Sequence, residues 1–437
     1  MIKIAQINSL EDLSVYLNKK DMSISSEIVE SVKAIVNDVR IGGDEAVAKY
    51  TSTFDGVNLR SGFRVSEHEI EEAYRQTDVK LLAALEVAAI NINAFHKKQF
   101  PVDISFITKG NSNLGFIYKP IRRVGVYVPG GLGAYPSTVL MNVIPAKIAG
   151  VKEIVIFTPP DKTGKIHKSV AACAKLLGIE EIYKIGGAQA ISAAAFGTGS
   201  IKKVDKIIGP GNAYVACAKR EVYGHVAIDT IAGPSEILVI ADRTANPVYI
   251  ASDMLSQAEH DEMAKCYLIT DSNELAQAVV RELKNFVDKL SRKNIIAKAL
   301  ENSFIFIVKD YEMAFDVANK IAPEHLELLG QEVEEMVDRV ENAGAIFIGS
   351  YSPEPIGDYI AGTNHVLPTD GNARFSSGLC VMDFMKHTSV VKYSKEDFIK
   401  YAPFAIKIAE NEELTAHANS LRQRLLKEDK DDYNGCK

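Results

Sequence analysis

Cysteine is scarce in this 437-residue chain, and the five present, at positions 173, 217, 266, 380 and 436, form no CxxC pair. An odd, dispersed set excludes a disulfide framework and a cysteine-rich zinc site. Cys173, Cys217, Cys266 and Cys380 read as small core hydrophobes. Long apolar runs are missing too: no stretch approaches the roughly 20 residues of a membrane span. The richest, Val139 to Ile148, is interrupted by Asn142, Pro145 and Lys147 and reads as a buried helix. Positive charge is in short supply, with 50 Lys and Arg against 57 Asp and Glu for a net −7, and no basic stripe occurs. Phosphate backbones demand clustered cations, so neither nucleic acid nor membrane is an expected partner. The opening Met1-Ile2-Lys3-Ile4-Ala5-Gln6 turns polar too early for a secretory signal, which makes the cytoplasm the expected location. Repeats of solenoid length and low-complexity tracts are also absent.

What remains is ordinary globular composition, 47% hydrophobic and 24% charged, at a length that suggests about two to four domains. Residues 1–120 read largely as helix, with helical apolar spacing over Ser25 to Val39 and Lys80 to Phe95. The texture changes at Arg123. Short β-branched runs at Val124–Val128, Glu153–Phe157, Glu181–Ile185 and Lys203–Ile208 alternate with helical stretches. Gly-rich turns follow three of them: Pro129-Gly130-Gly131, Gly186-Gly187-Ala188-Gln189 and Gly209-Pro210-Gly211-Asn212. That alternation is the signature of a wound parallel sheet. A second set begins at Glu236–Ile240, with strand-like runs at Cys266–Thr270, Phe304–Val308 and Ala345–Ile348. Helices are expected near 273–289, 311–320 and 331–341. Because 240–350 offers few covering helices, some of those before 120 are expected to pack on it. The C-terminal part reads as mixed, then helical over Lys395 to Leu426.

Three constellations carry chemistry. In wound sheets, ligands sit beyond the carboxyl ends of strands, where helix N-termini offer free N–H groups to anions. The three glycine turns suit a nucleotide, although each would serve equally as a tight connection without a ligand. The G-x-G-x-x-G fingerprint is missing: Gly209-x-Gly211 comes nearest and has Tyr214 where the last glycine belongs. Second, Gln257 and His260 fall at i and i+3 on an expected helix, and the turn-rich Gly357–Thr369 carries Asp358 and His365. Farther on, His417 follows Glu412 by five residues. A lone histidine is more often structural, but imidazole, carboxylate and amide oxygen together suit Zn2+ or a similar divalent ion. Third, Pro323-Glu324-His325 reads as the first turn of a helix. There the helix field would keep His325 neutral and Glu324 anionic, an acid–base pair, unless both merely pack.

Taken together and in this order, these segments resemble the histidinol dehydrogenase family. The resemblance runs from the 120s to about residue 420. It is carried by Tyr127-Val-Pro-Gly-Gly131, Gly186-Gly-Ala-Gln189, Gly209-Pro-Gly-Asn212, Gly233-Pro-Ser-Glu236 and Gln257-Ala-Glu-His260. Pro323-Glu-His325, Gly357-Asp-Tyr359 with Asn364-His-Val-Leu-Pro368, and Glu412 with Ala416-His417 complete it. It implies an α/β fold of two incomplete Rossmann-like parallel-sheet domains with helical N- and C-terminal segments, in an intertwined homodimer with shared active sites. The implied parts are an N-terminal helical segment 1–24, a first α/β domain 25–123 with 239–375, a second α/β domain 124–238, and a C-terminal segment 376–437 reaching the partner.

The resemblance implies further that Gln257, His260, Asp358 and His417 bind zinc. Substrate would touch Ser235, Gln257, His260, His325, Asp358, Glu412 and His417, and NAD would touch Tyr127, Gln189 and Asn212. Glu324 and His325 would be the acid–base pair. The implied reaction takes L-histidinol through L-histidinal to L-histidine with two NAD+ and one water, as the last step of histidine biosynthesis. A related zinc- and NAD-dependent enzyme acting on another alcohol is the nearer alternative, and a non-catalytic metal or nucleotide sensor the more distant one. Cys217 is a poor candidate for an aldehyde-attacking nucleophile, because it lies inside an expected helix without a histidine nearby in sequence.

Overall fold

In the computed structural model, the described residues are 2–16, 25–59, 62–130, 133–231 and 233–434, with side chains to residue 426. Gly131 of the first glycine turn, residues 17–24 of the N-terminal segment and Cys436 lie outside them. The chain divides into two compact units, Met1–Phe100 with Ile121–Phe384, and Pro101–Pro120 with Met385–Lys437.

Both parallel sheets belong to the first unit. One has five strands in the order Ile182–Tyr183, Glu153–Phe157, Arg123–Tyr127, Lys206–Ile208, Ala227–Ile228, all parallel. Arg123–Tyr127 is buried along its whole length, as expected of a strand covered on both faces. The order reverses between Arg123–Tyr127 and Lys206–Ile208, so the turns after these strands flank the crevice where wound sheets take ligands. Gly209 shows how closely they approach: its φ is +106°, and a Cβ there would lie 2.1 Å from the Tyr127 carbonyl oxygen.

The other sheet has six parallel strands in the order Lys3–Gln6, Phe304–Ile307, Lys265–Thr270, Glu236–Ala241, His325–Leu329, Ala345–Ile348. Its reversal falls between Glu236–Ala241 and His325–Leu329. At the carboxyl end of that pair the crevice is filled by the buried Asp242. Its carboxylate accepts the backbone N–H groups of Thr244 at 2.7 Å and Glu332 at 2.7 Å, and it lies against the α-carbon of Gly330.

Several expectations are corrected here. Lys3–Gln6, expected as helix, is an edge strand. The short helix Leu13–Tyr16 packs on the six-stranded sheet, as expected of some helices before 120, but the long ones before residue 100 pack on the five-stranded unit. Val32, Ile35, Val39 and Val47 of Ser26–Asp55 join one core with the alanine-rich helices Gly187–Phe196 and Ala213–Val222, whose small side chains permit close approach. The six-stranded sheet is covered by its own helices instead. Pro247–Ala258, Asn273–Val287 and the unforeseen Lys293–Glu301 lie on one face, and Tyr311–Ile321 packs in the core of the other. The helix expected near 331–341 is a 3-10 segment, Glu334–Arg339. One helix, Val79–Gln99, is long and apolar enough to cross a bilayer by length and composition, contrary to expectation. Its Leu85, Ala88, Ile92 and His96 are buried, and it packs on Pro136–Ala149.

The second unit is an antiparallel sheet in the order Met385–Lys392, Asn113–Pro120, Ile104–Ile107, with the helices Lys395–Asn411 and Thr415–Asn434. The C-terminal part is therefore not purely helical. The strand Ile104–Ile107 is exposed along its whole length, its period-2 signal weakened by apolar residues on both faces.

Candidate active site

The site grows at the amino ends of the six-stranded sheet. His325 opens its strand, and Ser235 and Glu236 open the neighbouring one, paired so that His325 lies opposite Ile237. The expected helix start at Pro323-Glu324-His325 is not found: the preceding helix ends at Ile321, Ala322 takes a left-handed turn, and a strand begins at His325. Helix field is thus not what sets these two groups. Burial is. It pushes the His325 imidazole down to about 3, keeping it neutral, and pushes Glu324 well above the usual carboxylate range, so Glu324 is not held anionic as expected.

The ring's orientation follows from its partners. His325 Nδ1 lies 3.1 Å from the Glu236 carbonyl oxygen, which can only accept, so Nδ1 carries the proton. Nε2 is left with a lone pair, buried and without a partner among the described residues. It faces the Glu354 carboxyl at 4.0 Å and the Asp358 carboxyl at 3.9 Å. On the other side, Glu324 Oε2 stands 3.7 Å from Nδ1. That oxygen accepts the Glu236 backbone N–H at 3.0 Å, and the Ser235 hydroxyl also bonds to the Glu324 carboxyl.

Three further elements close on this point. Gln257 sits in the last turn of Pro247–Ala258, and His260 follows two residues beyond the helix end, not on it as expected. The short helix Glu354–Tyr359 carries Glu354 and Asp358 one turn apart. Ligand atoms of His260, Glu354 and Asp358 lie within 4.8 Å of one another. Burial raises the pKa of both Glu354 and Asp358, and their carboxyls hydrogen-bond each other. Gln257 is fully buried, with neither amide atom partnered among the described residues. A buried primary amide without a hydrogen bond is costly, and a bound cation would relieve its oxygen. Imidazole, carboxylate and amide oxygen are donors zinc accepts, so the residues fit that ion. His365, whose Nδ1 lies 3.1 Å from the Asp358 carbonyl oxygen, backs the helix; burial pushes its ring down to about 4.

Sequence reasoning missed Glu354, Glu236, Asp253 and Glu327. Glu327 and Glu236 each interrupt or open an apolar strand run, which is the one signal that could have found them. Glu354 precedes Asp358 by four residues behind Pro353, a spacing that puts both on one helical face. Glu412 and His417 belong to the second unit. Glu412 ends the helix Lys395–Asn411, His417 lies in the first turn of Thr415–Asn434, and both are exposed.

The glycine turns hold the other expected contacts. The Tyr127 hydroxyl accepts the Gly187 N–H at 3.0 Å, and burial pushes it up to about 12. Gln189 is buried with its Oε1 unpartnered. Asn212 is exposed and caps Ala213–Val222, accepting the N–H groups of Tyr214 and Val215. Cys217 is buried in that helix, and burial raises its thiol, the wrong direction for a nucleophile.

Two wound parallel sheets, one with glycine turns at its switch point and one with a buried acid–base pair beside a metal-competent cluster, define an α/β protein with the makings of an enzyme site. The family model described as histidinol dehydrogenase matches residues 18–425. Histidinol dehydrogenase from Clostridium acetobutylicum is 49% identical over 97% of this chain and 99% of its own length. That from Methanocaldococcus jannaschii is 46% identical over 97% of this chain and 98% of its own. The crystal structure of histidinol dehydrogenase from Elizabethkingia anophelis superimposes with TM-score 0.94 at 38% identity, covering 98% of this chain and 99% of that one. The chain belongs to the histidinol dehydrogenase family.

Proposed function

We propose that this protein is an NAD-dependent oxidoreductase of histidine biosynthesis, taking L-histidinol through L-histidinal to L-histidine with two NAD+ and one water. The observation that carries the reading is the unpartnered Nε2 lone pair of buried, neutral His325 beside the His260, Glu354 and Asp358 cluster. In the first oxidation His325 Nε2 takes the substrate hydroxyl proton. In the second, after His325 has released that proton to solvent, ionised Glu324 deprotonates the water that attacks the aldehyde, and His325 takes the hydroxyl proton of the resulting hydrate. A carboxyl raised by burial is a stronger base, once ionised, than an ordinary one.

Gln257, His260 and Asp358 would hold zinc, with His417 from a second copy of the chain as fourth ligand. When bound, zinc would supply a template that grips the amine and imidazole of the amino alcohol. Ser235 and Glu412 would add substrate contacts. Tyr127, Gln189 and Asn212 would hold NAD in the 124–238 domain, supported by the unpartnered Gln189 oxygen at the crevice. When bound, NAD+ supplies the hydride acceptor. A homodimer with shared sites is supported by the second unit, which leaves Ile104, Phe106, Ile107, Val391, Phe404 and Ile408 exposed, more apolar surface than a lone unit keeps in water.

The test is absorbance at the NADH band after addition of histidinol, with and without a chelator. Two NADH per histidinol, abolished by the chelator and restored by zinc, are expected. One NADH would overturn the four-electron reading, and none would overturn the assignment of substrate.

A further inference from the structure

Beneath the site lies a second pair of carboxyls that the chemistry above does not use. Glu327 is two residues along the strand from His325, so its side chain leaves the same face. It is fully buried, an expensive place for an acid. Its Oε1 accepts the backbone N–H of Glu354 at 2.8 Å. Glu354 is the first residue of the helix bearing Asp358, and the residue before it, Pro353, has no side chain able to cap. Glu327 therefore caps this helix from another strand.

The remaining oxygen, Oε2, has no donor among ordinary partners. The Glu327 and Asp253 carboxyls hydrogen-bond each other. Such a bond requires a proton between them, and burial of both groups raises their affinity for it. Asp253 sits on Pro247–Ala258 one turn before Gln257, so both occupy one helical face. The Ser256 hydroxyl, on the same helix, spans from the Asp253 carbonyl at 2.8 Å to the Glu354 carboxyl at 3.3 Å.

We infer that Glu327 and Asp253 are positioning residues, an acid–acid clamp that holds the Gln257 helix, the His325 strand and the Asp358 helix in metal-binding register. The inference rests on the zinc reading above and concerns what makes that site preformed. Groups behind metal ligands commonly set affinity by 10- to 100-fold. A clamp built from a protonated pair adds at most one negative charge behind the ligands, where two ionised acids would repel each other.

The experiment measures zinc affinity by chelator competition in folded protein, and the visible spectrum of the cobalt-loaded form. Glu327→Ala should weaken zinc about 10- to 100-fold and alter the cobalt bands. Glu327→Gln keeps an acceptor for the Glu354 N–H and a donor for Asp253, and should restore both readouts to within about threefold. Should Glu327→Ala not fold, Asp253→Ser, which leaves the helix cap in place, is expected to weaken zinc about tenfold, the low end of such support. Wild-type zinc affinity and spectrum in folded Glu327→Ala or Asp253→Ser would overturn the inference alone. A glutamine variant as impaired as the alanine one would also overturn it. Wild-type protein that takes up no zinc would overturn the metal reading, and the clamp with it.

Discussion

At His325 water has been removed from both ring nitrogens, and a single carbonyl decides where the proton sits. A base of this kind is expected to serve every oxidation the site performs. His325→Asn should lower NADH formation from histidinol and from histidinal alike, by about 10²- to 10⁴-fold. Glu324→Gln should spare the first oxidation and mainly slow the second. Wild-type histidinal oxidation in that variant would remove Glu324 from water activation. His365 offers a stability readout. Its ring is pushed down to about 4 by burial, against an ordinary 6.5. Between these values the unfolded chain takes up a proton that the folded chain refuses, so stability falls as pH falls through that window, by about 1.4 kcal/mol per pH unit. In metal-free protein, the loss of urea-unfolding free energy from pH 7 to pH 5 should shrink by about 2 kcal/mol in His365→Gln. An unchanged slope would mean that the ring titrates as though in solvent.

Among the elements, the turn after Lys206–Ile208 is the most constrained. Gly209 combines a left-handed φ with a carbonyl 2.1 Å from any Cβ, so Gly209→Ala must move either this turn or the end of Arg123–Tyr127. We expect about 1–3 kcal/mol of lost stability and weaker NAD binding, read by urea unfolding and by calorimetric titration. Undiminished dinucleotide affinity would separate this turn from the cofactor. The turns were legible in the sequence because glycine and proline act locally. So were Arg123–Tyr127, Pro136–Ala149 and the strand Ala345–Ile348. Pro323-Glu324-His325 was misread because His325–Leu329 is buried on both faces, and a short buried run has no period to mark it as strand. Which sheet Ser26–Asp55 covers was invisible for another reason: its apolar stripe fits any small-residue surface, and the alanines that receive it lie more than 130 residues on. Glu327 and Asp253 stayed hidden because only tertiary structure brings their carboxyls together.

For the whole molecule, the exposed side chains of the second unit set the expectation. Phe404→Asp should lower the mass in light scattering from dimer to monomer; a dimer that persists would assign the contact elsewhere. Mixing inactive His417→Ala with inactive His260→Ala subunits should recover activity if sites are shared, because one site in the mixed dimer is then intact. No recovery despite demonstrated subunit exchange would confine each site to one chain. A last consequence follows from Asp242. Of the two crevices that wound sheets could lend to a nucleotide, one is corked by the chain's own acid. If both NAD+ molecules of the proposed reaction use the other crevice, they must queue: the spent one departs before its replacement enters, and the half-oxidised intermediate would stay moored in between.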